Sequence, residues 1–152
     1  MNAVNRRAQF QPRRVALAAL AGGIVAAAAN TGLFLLLHAL GVDFMIQPDP
    51  AAPAASISVP SFGVASFVPA LLAGGLLVLL GRFTTKARRA FVVIASAVAL
   101  LSLAGPAMIG GASAGTRVAL MVMHLLTAAV ISGGLLRSAG RTDGTTAASV
   151  GA

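Results

Sequence analysis

Two histidines are the side chains in this 152-residue sequence best suited to acid–base chemistry or metal binding, and cysteine is absent. Without cysteine, disulfides, thiolate metal sites and thiol catalysis are excluded. His38 is closely followed by Asp43, which could supply a carboxylate ligand, whereas His124 would have to approach from another helix. A catalytic zinc site commonly has three protein ligands. Neither histidine stands in an HxxxH or HxxE spacing, so we expect no metal site and no cofactor.

Covalent or proton-transfer catalysis has equally few candidates. Ser102 and His124 could act as nucleophile and base, but such a base needs an acidic residue to orient it, and no motif surrounds either residue. Proton relays inside a membrane usually depend on a carboxylate, and the apolar runs of this chain contain none. We therefore expect a protein that is not an enzyme.

The composition places these residues in a membrane. Hydrophobic residues make up 58% of the chain and charged residues 9%, and the mean hydropathy is +0.93. Soluble domains contain about 25% charged residues and about 45–50% apolar ones, so this chain could not cover a water-facing surface. The same figures argue against a chain that is disordered as a whole, because disorder requires low hydrophobicity.

Four apolar runs are each long enough to cross the ~30 Å core of a bilayer, which takes about 20 helical residues. They span residues 15–40, 62–80, 90–109 and 118–136, and none contains Asp, Glu, Lys or Arg. Because lipid offers no partner to an unpaired backbone group, we predict an all-α bundle of four transmembrane helices within residues 15–137. Pro69 has no backbone amide hydrogen, so one carbonyl in the second helix lacks its hydrogen-bond partner. Gly105-Pro106 bends or ends the third helix.

The remaining segments differ in kind. Residues 1–14 form a basic N-terminus, and residues 41–61 form a loop rich in proline and alanine. Proline removes a backbone donor and biases its predecessor away from helix, so we expect this loop to be irregular or partly extended. The tail at 138–152 is small and polar, and we expect it to be disordered and cytoplasmic.

Loop charge predicts the orientation. All of the eleven basic residues except Arg117 fall on one side of the four predicted helices. Those nearest the helix ends are Arg13, Arg14, Arg82, Lys86, Arg88, Arg89 and Arg137. We therefore expect a multi-pass protein of the plasma (inner) membrane with both termini in the cytoplasm. A cleaved signal peptide ending near Ala27-Ala28-Ala29 is the competing interpretation, although the apolar run continues past it.

The placement of basic residues on one side of the membrane explains the formal net charge of +8 without any acidic binding partner. Contact with anionic lipid headgroups is a further role open to the basic residues. Nucleic-acid binding needs a folded basic surface, which the short cytoplasmic segments do not provide. We expect the lipid bilayer as partner and no nucleic acid.

A small set of polar side chains falls in the predicted outer half of the bilayer, at about 1.5 Å of depth per helical residue. The set comprises Asn30, Thr31, His38, Ser102, His124 and Thr127. Polar groups in lipid usually turn toward neighbouring helices, so we predict a cluster that links the first, third and fourth helices. Its members either form interhelical hydrogen bonds, worth about 0.6 kcal/mol each, or hold water, a lipid headgroup or a small ligand.

Several short motifs resemble an uncharacterised bacterial family of four-helix membrane proteins, the domain-of-unknown-function family 6069. In chain order they are Asn30, Gly41-Val42-Asp43, the run LSLAGP at 101–106 and the run LMVMHL at 120–125. The resemblance covers about residues 13–137. It implies the four-helix fold and a bacterial membrane, and it implies no activity. The loop at 41–61 is longer and richer in proline and alanine than the family pattern.

Taken together, these features favour a non-enzymatic structural, accessory or interaction subunit. It would work with a membrane-protein partner or a second copy of itself. The alternatives are a component of an oligomeric small transporter or channel, and a binder of lipid or a small ligand that uses the polar cluster. A lipid-modifying enzyme that uses His38 and His124 is the least supported alternative, because the sequence offers few other residues suited to catalysis.

Overall fold

The computed structural model describes residues 11–139, which fold into five α-helices and one short hairpin. The elements are α1 (Pro12–Ala39), β1 (Met45–Ile46), β2 (Ala55–Ser56), α2 (Val59–Phe83), α3 (Ala87–Ser102), α4 (Ala104–Met108) and α5 (Ala114–Ala139). Residues 1–10 and 140–152 lie outside the described residues. Most of the predicted basic N-terminus and most of the tail predicted to be disordered fall there.

Four stretches of helix are long and apolar enough to cross a membrane: α1, α2, α3 together with α4, and α5. This arrangement confirms the predicted all-α architecture of four spans. The second span begins at Val59, earlier than its apolar run, because Pro60 lies in the first turn of α2. A helix has no partner for the amides of its first turn, so proline is well tolerated there.

The third span is interrupted at Leu103, between the end of α3 and the start of α4. Pro106 follows Ser102 by one helical turn. It has no amide hydrogen to donate to the Ser102 carbonyl, and its ring crowds that carbonyl. The bend predicted from Gly105-Pro106 therefore falls one turn before the proline.

The first helix packs between α2 and α5, and two adjacent glycines make this possible. A Cβ atom at Gly22 would lie 3.5 Å from the backbone of Ile131 in α5, whereas one at Gly23 would lie 3.3 Å from the Cβ of Ala70 in α2. Small residues let membrane helices approach closely and gain dispersion contacts. The helices α1 and α2 also approach closely where Gly74 faces Ala19, since a Cβ atom at Gly74 would lie 2.8 Å from that of Ala19.

The two ends of the bundle have different compositions. At one end, Val15, Leu77, Phe91 and Leu135 pack in one buried cluster, so the start of α1, the end of α2, the start of α3 and the end of α5 meet there. This end, which we call the basic end, carries the predicted orientation residues. They are Arg13, Arg14, Arg82, Lys86, Arg88, Arg89 and Arg137, and all are exposed. Arg117 lies at the opposite end, which we call the loop end.

The loop end carries a short hairpin within the loop at 41–61, which the sequence predicted to be irregular or partly extended. β1 and β2 pair antiparallel through Met45 and Ser56. Just before β1, Phe44 adopts a left-handed backbone conformation with φ of 49°, which is uncommon for a residue other than glycine. Its side chain is buried, with its ring centroid 4.6 Å from that of Phe34, and this packing holds the unusual backbone in place.

Candidate ligand-binding cavity

A cavity of about 750 Å³ lies between α2, the third span and α5. It exists because α3 packs loosely: its only buried residues are Ala87 and Phe91, both near the basic end. Beyond Phe91, the walls carry small side chains where bulky ones would fill the space, among them Ala65, Ala73, Ala95, Ala99 and Ala128. Interior packing normally leaves few voids larger than a water molecule, so a space of this size is a distinct feature of the bundle.

The cavity is elongated along the helix axes. Along α5 its wall runs from Leu120 to Ser132, about 18 Å at 1.5 Å per residue. Phe91 forms part of the wall toward the basic end, and it is fully buried. Leu72 and Val98 also line the cavity, yet they are exposed. The space therefore opens sideways, in the direction in which a membrane protein meets lipid.

Asn30 of α1 is the most deeply buried polar group at the cavity wall, with 4% of its surface exposed. Its amide nitrogen donates to the hydroxyl of Ser66 in α2 at 3.3 Å and to that of Thr127 in α5 at 2.7 Å. Its amide oxygen is buried without a hydrogen-bond partner among residues 11–139. An amide of asparagine is assigned from its bonding network, and with either assignment one end is bonded to hydroxyls while the other has no partner.

His124 lines the same cavity one turn before Thr127 on α5. Its Nδ1 lies 2.8 Å from the carbonyl oxygen of Leu120. A carbonyl only accepts hydrogen bonds, so Nδ1 donates in this contact.

The wall also carries the hydroxyls of Ser61, Ser102 and Ser132. The Ser102 hydroxyl donates to the Ala99 carbonyl within α3 at 2.7 Å. Pro69 lies inside α2 and offers no amide to the carbonyl of Ala65. Pro106 likewise offers none to the carbonyl of Ser102. Both of these carbonyls belong to residues that line the cavity.

A second polar group lies outside the spans, where the loop meets the start of α5. The Asp43 carboxylate accepts from the hydroxyl of Thr116 at 2.6 Å and from that of Ser113 at 3.2 Å. The hydrogen bond from Thr116 is the largest cause of a lowered pKa for Asp43, and the bond from Ser113 acts in the same direction. Asp43 also lies at the N-terminus of α5, where the helix dipole favours a negative charge. This contact fastens the loop to α5.

The predicted site residues divide into two groups. Asn30 and Thr127 are hydrogen-bonded, and Ser102 and His124 lie on the same cavity wall. Thr31 and His38 are not part of the wall; His38 is exposed, stacks on Phe34 and contacts the Val42 carbonyl. Ser66 is a member that the predicted cluster did not include.

No group of three or more histidine and carboxylate side chains that could hold a metal ion is present in residues 11–139. His38 and Asp43 follow each other closely in sequence, but each is engaged by different partners. The imidazole of His38 contacts a backbone carbonyl, whereas the Asp43 carboxylate is bonded by hydroxyls of α5 and its loop.

Four apolar spans around a cavity define a multi-pass membrane protein. The chain belongs to the family of unknown function DUF6069, which matches residues 10–141. No curated protein and no solved structure shows significant similarity to the chain.

Proposed function

We propose that this protein is a non-enzymatic membrane subunit that binds a lipid-like small molecule in the cavity between α2, the third span and α5. The observation that carries the proposal is that the cavity opens sideways past the exposed side chains of Leu72 and Val98, in the direction of the surrounding lipid.

The size and lining of the cavity support the same proposal. Ligand sites typically enclose about 300–1,000 Å³, with mainly apolar walls and a few well-placed polar groups. A volume of about 750 Å³ with Asn30, His124 and Thr127 on one stretch of wall matches that description.

We propose further that the protein resides in the plasma membrane with the basic end in the cytoplasm. The support is the distribution of charge, since Arg117 is the one basic residue at the loop end among residues 11–139. The chain has no cysteine, so Ala52→Cys and Lys86→Cys each create a single labelling site. A membrane-impermeant maleimide should label position 52 in intact cells and position 86 only after lysis. Labelling of position 86 in intact cells would show that the basic end faces outward and would contradict the proposed orientation.

The binding proposal is tested by the molecules that copurify with the protein. Ala99→Phe places a ring in the cavity, whereas Ala97→Phe is the matched control, because Ala97 lies on the exposed side of α3 and outside the wall. Solvent extracts of the wild type and of the control should contain a common amphiphile, identified by mass spectrometry, that is depleted in Ala99→Phe. Equal lipid profiles in all three preparations would contradict the proposal.

A further inference from the structure

We infer that the ligand is an anionic phospholipid, with its phosphate at Arg117 and one acyl chain in the cavity between α2, the third span and α5. The inference rests on the proposed binding function and names the chemical class of the ligand. It starts from Arg117, a residue whose position is explained neither by the sorting of charge nor by helix stability.

Arg117 stands at the loop end against two general preferences. It is the one basic residue at that end among residues 11–139, whereas membrane proteins usually concentrate their basic residues on one side. It also lies close to the start of α5, where the helix dipole disfavours a positive charge. Both preferences make Arg117 costly, so its presence calls for a compensating contact.

The charge of Arg117 has no counter-ion in the described part of the chain. One terminal nitrogen donates to the carbonyl oxygen of Ile109 at 3.3 Å, and Nε is buried without a hydrogen-bond partner among residues 11–139. Asp43 is engaged by the hydroxyl of Thr116 instead. A partly buried charge is costly unless it is paired. The side chain of Arg117 keeps part of its surface exposed, and its terminal nitrogens carry further donors for an anionic group.

Arg117 stands on the face of α5 that lines the cavity. Seven residues make close to two turns of helix, so Arg117 and His124 lie on the same face, and His124 is part of the wall. The Ile109 carbonyl that accepts from Arg117 belongs to another lining residue. The guanidinium therefore lies at the rim of the cavity, at the loop end.

Polar groups follow Arg117 along the wall in the order in which a phospholipid carries its own. His124 is about 10 Å further along α5, and Thr127 is about 5 Å beyond it, at 1.5 Å per residue. The Thr127 hydroxyl accepts from Asn30, and a hydroxyl also has a hydrogen to donate, which an ester carbonyl can accept. From there toward Phe91 the wall is mainly apolar. A phosphate at Arg117 thus places the glycerol and ester groups beside His124 and Thr127, with an acyl chain in the apolar part.

The sideways opening favours a lipid with two chains over a fatty acid. Leu72 and Val98 line the cavity and are exposed, so one chain can lie inside while the other stays in the bilayer. A fatty acid has a single polar group, which at Arg117 would leave His124 and Thr127 beside an apolar chain.

The charge of Arg117 also selects between phospholipids. An arginine fork pairs well with a phosphate. A zwitterionic headgroup would bring an ammonium close to the guanidinium as well, and like charges repel. A phospholipid with a net negative charge supplies the counter-ion alone.

The test uses the full chain in phosphatidylcholine nanodiscs, at a pH at which fatty acids are ionised. Three photoactivatable probes carry a diazirine on the same acyl chain: phosphatidylglycerol, phosphatidylcholine and the free fatty acid. Mass spectrometry locates the labelled residues. Labelling at the wall residues Ala95 and Ala128 is divided by labelling at Val93 and Ala97, which are exposed and lie outside the wall. This ratio cancels the partition of each probe and its general contact with the protein surface.

In the wild type the ratio should be about fivefold higher for phosphatidylglycerol than for phosphatidylcholine, the factor that one basic residue near a membrane surface contributes. It should also exceed the ratio for the fatty acid. Arg117→Gln keeps a donor for the Ile109 carbonyl but removes the charge, so it should lower the preference toward one. Arg117→Lys should retain most of it. Arg137→Gln removes the same charge at the basic end and is the matched control, which should leave the preference unchanged.

The failures are distinguishable. Equal ratios for the two phospholipids in the wild type, both lowered by Ala99→Phe, would overturn the inference and leave the proposed binding function in place. A preference that survives Arg117→Gln, that Arg137→Gln also abolishes, or that Ala99→Phe does not affect would overturn the inference as well. So would a higher ratio for the fatty acid. Labelling that favours the wall with no probe, and that Ala99→Phe leaves unchanged, would overturn the proposed function and the inference together. The comparison of probes in the wild type needs no variant, so it decides the matter even if a variant fails to fold.

Discussion

The contact between α1 and α2 depends on the absence of a side chain at Gly74, and two adjacent glycines allow a matched test. A Cβ atom at Gly74 would lie 2.8 Å from the Cβ of Ala19, whereas one at Gly75 would have no atom within 4 Å. Carbon atoms pack best at about 3.5–4.0 Å, so Gly74→Ala forces the two helices apart by about 1 Å. Gly75→Ala adds the same methyl group where it meets only lipid.

The magnitude follows from this geometry. Forcing an extra methyl group into a packed interface costs about 1–3 kcal/mol. Replacing glycine by alanine inside a helix stabilises it by about 0.5–1 kcal/mol, and this gain is shared by both variants. Gly74→Ala should therefore be less stable than Gly75→Ala by about 1–3 kcal/mol, while Gly75→Ala should equal or exceed the wild type.

The assay is reversible unfolding in mixed micelles with increasing sodium dodecyl sulfate, followed by circular dichroism. The difference between the two variants isolates the steric contact because their helix propensity is the same. Equal unfolding midpoints for Gly74→Ala and Gly75→Ala would refute the close packing of α1 against α2.

Three further predictions concern the polar groups. Asn30→Leu should lower the free energy of unfolding by about 1–3 kcal/mol, because it leaves the buried Ser66 hydroxyl and the Thr127 hydroxyl without the amide that donates to them; an unchanged free energy in the same detergent titration would contradict this. Asp43 has a lowered pKa in the folded protein, so its contribution is complete above the ordinary aspartate pKa of about 3.9 and is lost as pH falls through the lowered value. Thr116→Val should therefore flatten the dependence of the unfolding temperature on pH below about 4, and an unchanged slope would count against the hydrogen bond. Pro106→Ala restores an amide to the Ser102 carbonyl and should slow hydrogen exchange around the break in the third span, whereas equal exchange rates would assign the break to another cause.

The spans and the sorting of charge could be predicted from the sequence because each depends on local composition. A run of about 20 apolar residues has no alternative to helix in lipid, and basic residues beside the runs need no tertiary information. The break near Gly105-Pro106 was predictable in the same way, since the effect of proline on the carbonyl one turn earlier is local.

The partners of Asn30 could not be predicted in the same way. Ser66 and Thr127 belong to two other helices, and their contact with Asn30 depends on how α1 rotates between α2 and α5. That rotation is set by Gly22 and Gly23, each of which faces a different neighbour. Glycine and alanine are so common in this chain that no single small-residue motif identifies the interface in advance.

The hairpin and the cavity could not be predicted from the sequence, because neither follows from local composition. Strands of two residues carry no periodic pattern, and the contact of Asp43 with Thr116 joins residues far apart in the chain. The cavity arises from what α3 lacks, namely buried bulky residues beyond Phe91. An apolar run that faces lipid and one that faces an internal space have the same composition.

A density map of the full protein purified in its native lipid is the sharpest test of ligand binding between α2, the third span and α5. We expect elongated density along this space, with its polar end beside His124 and Thr127. A map in which α3 packs directly on α2 and α5, leaving no such space, would show that no ligand binds there.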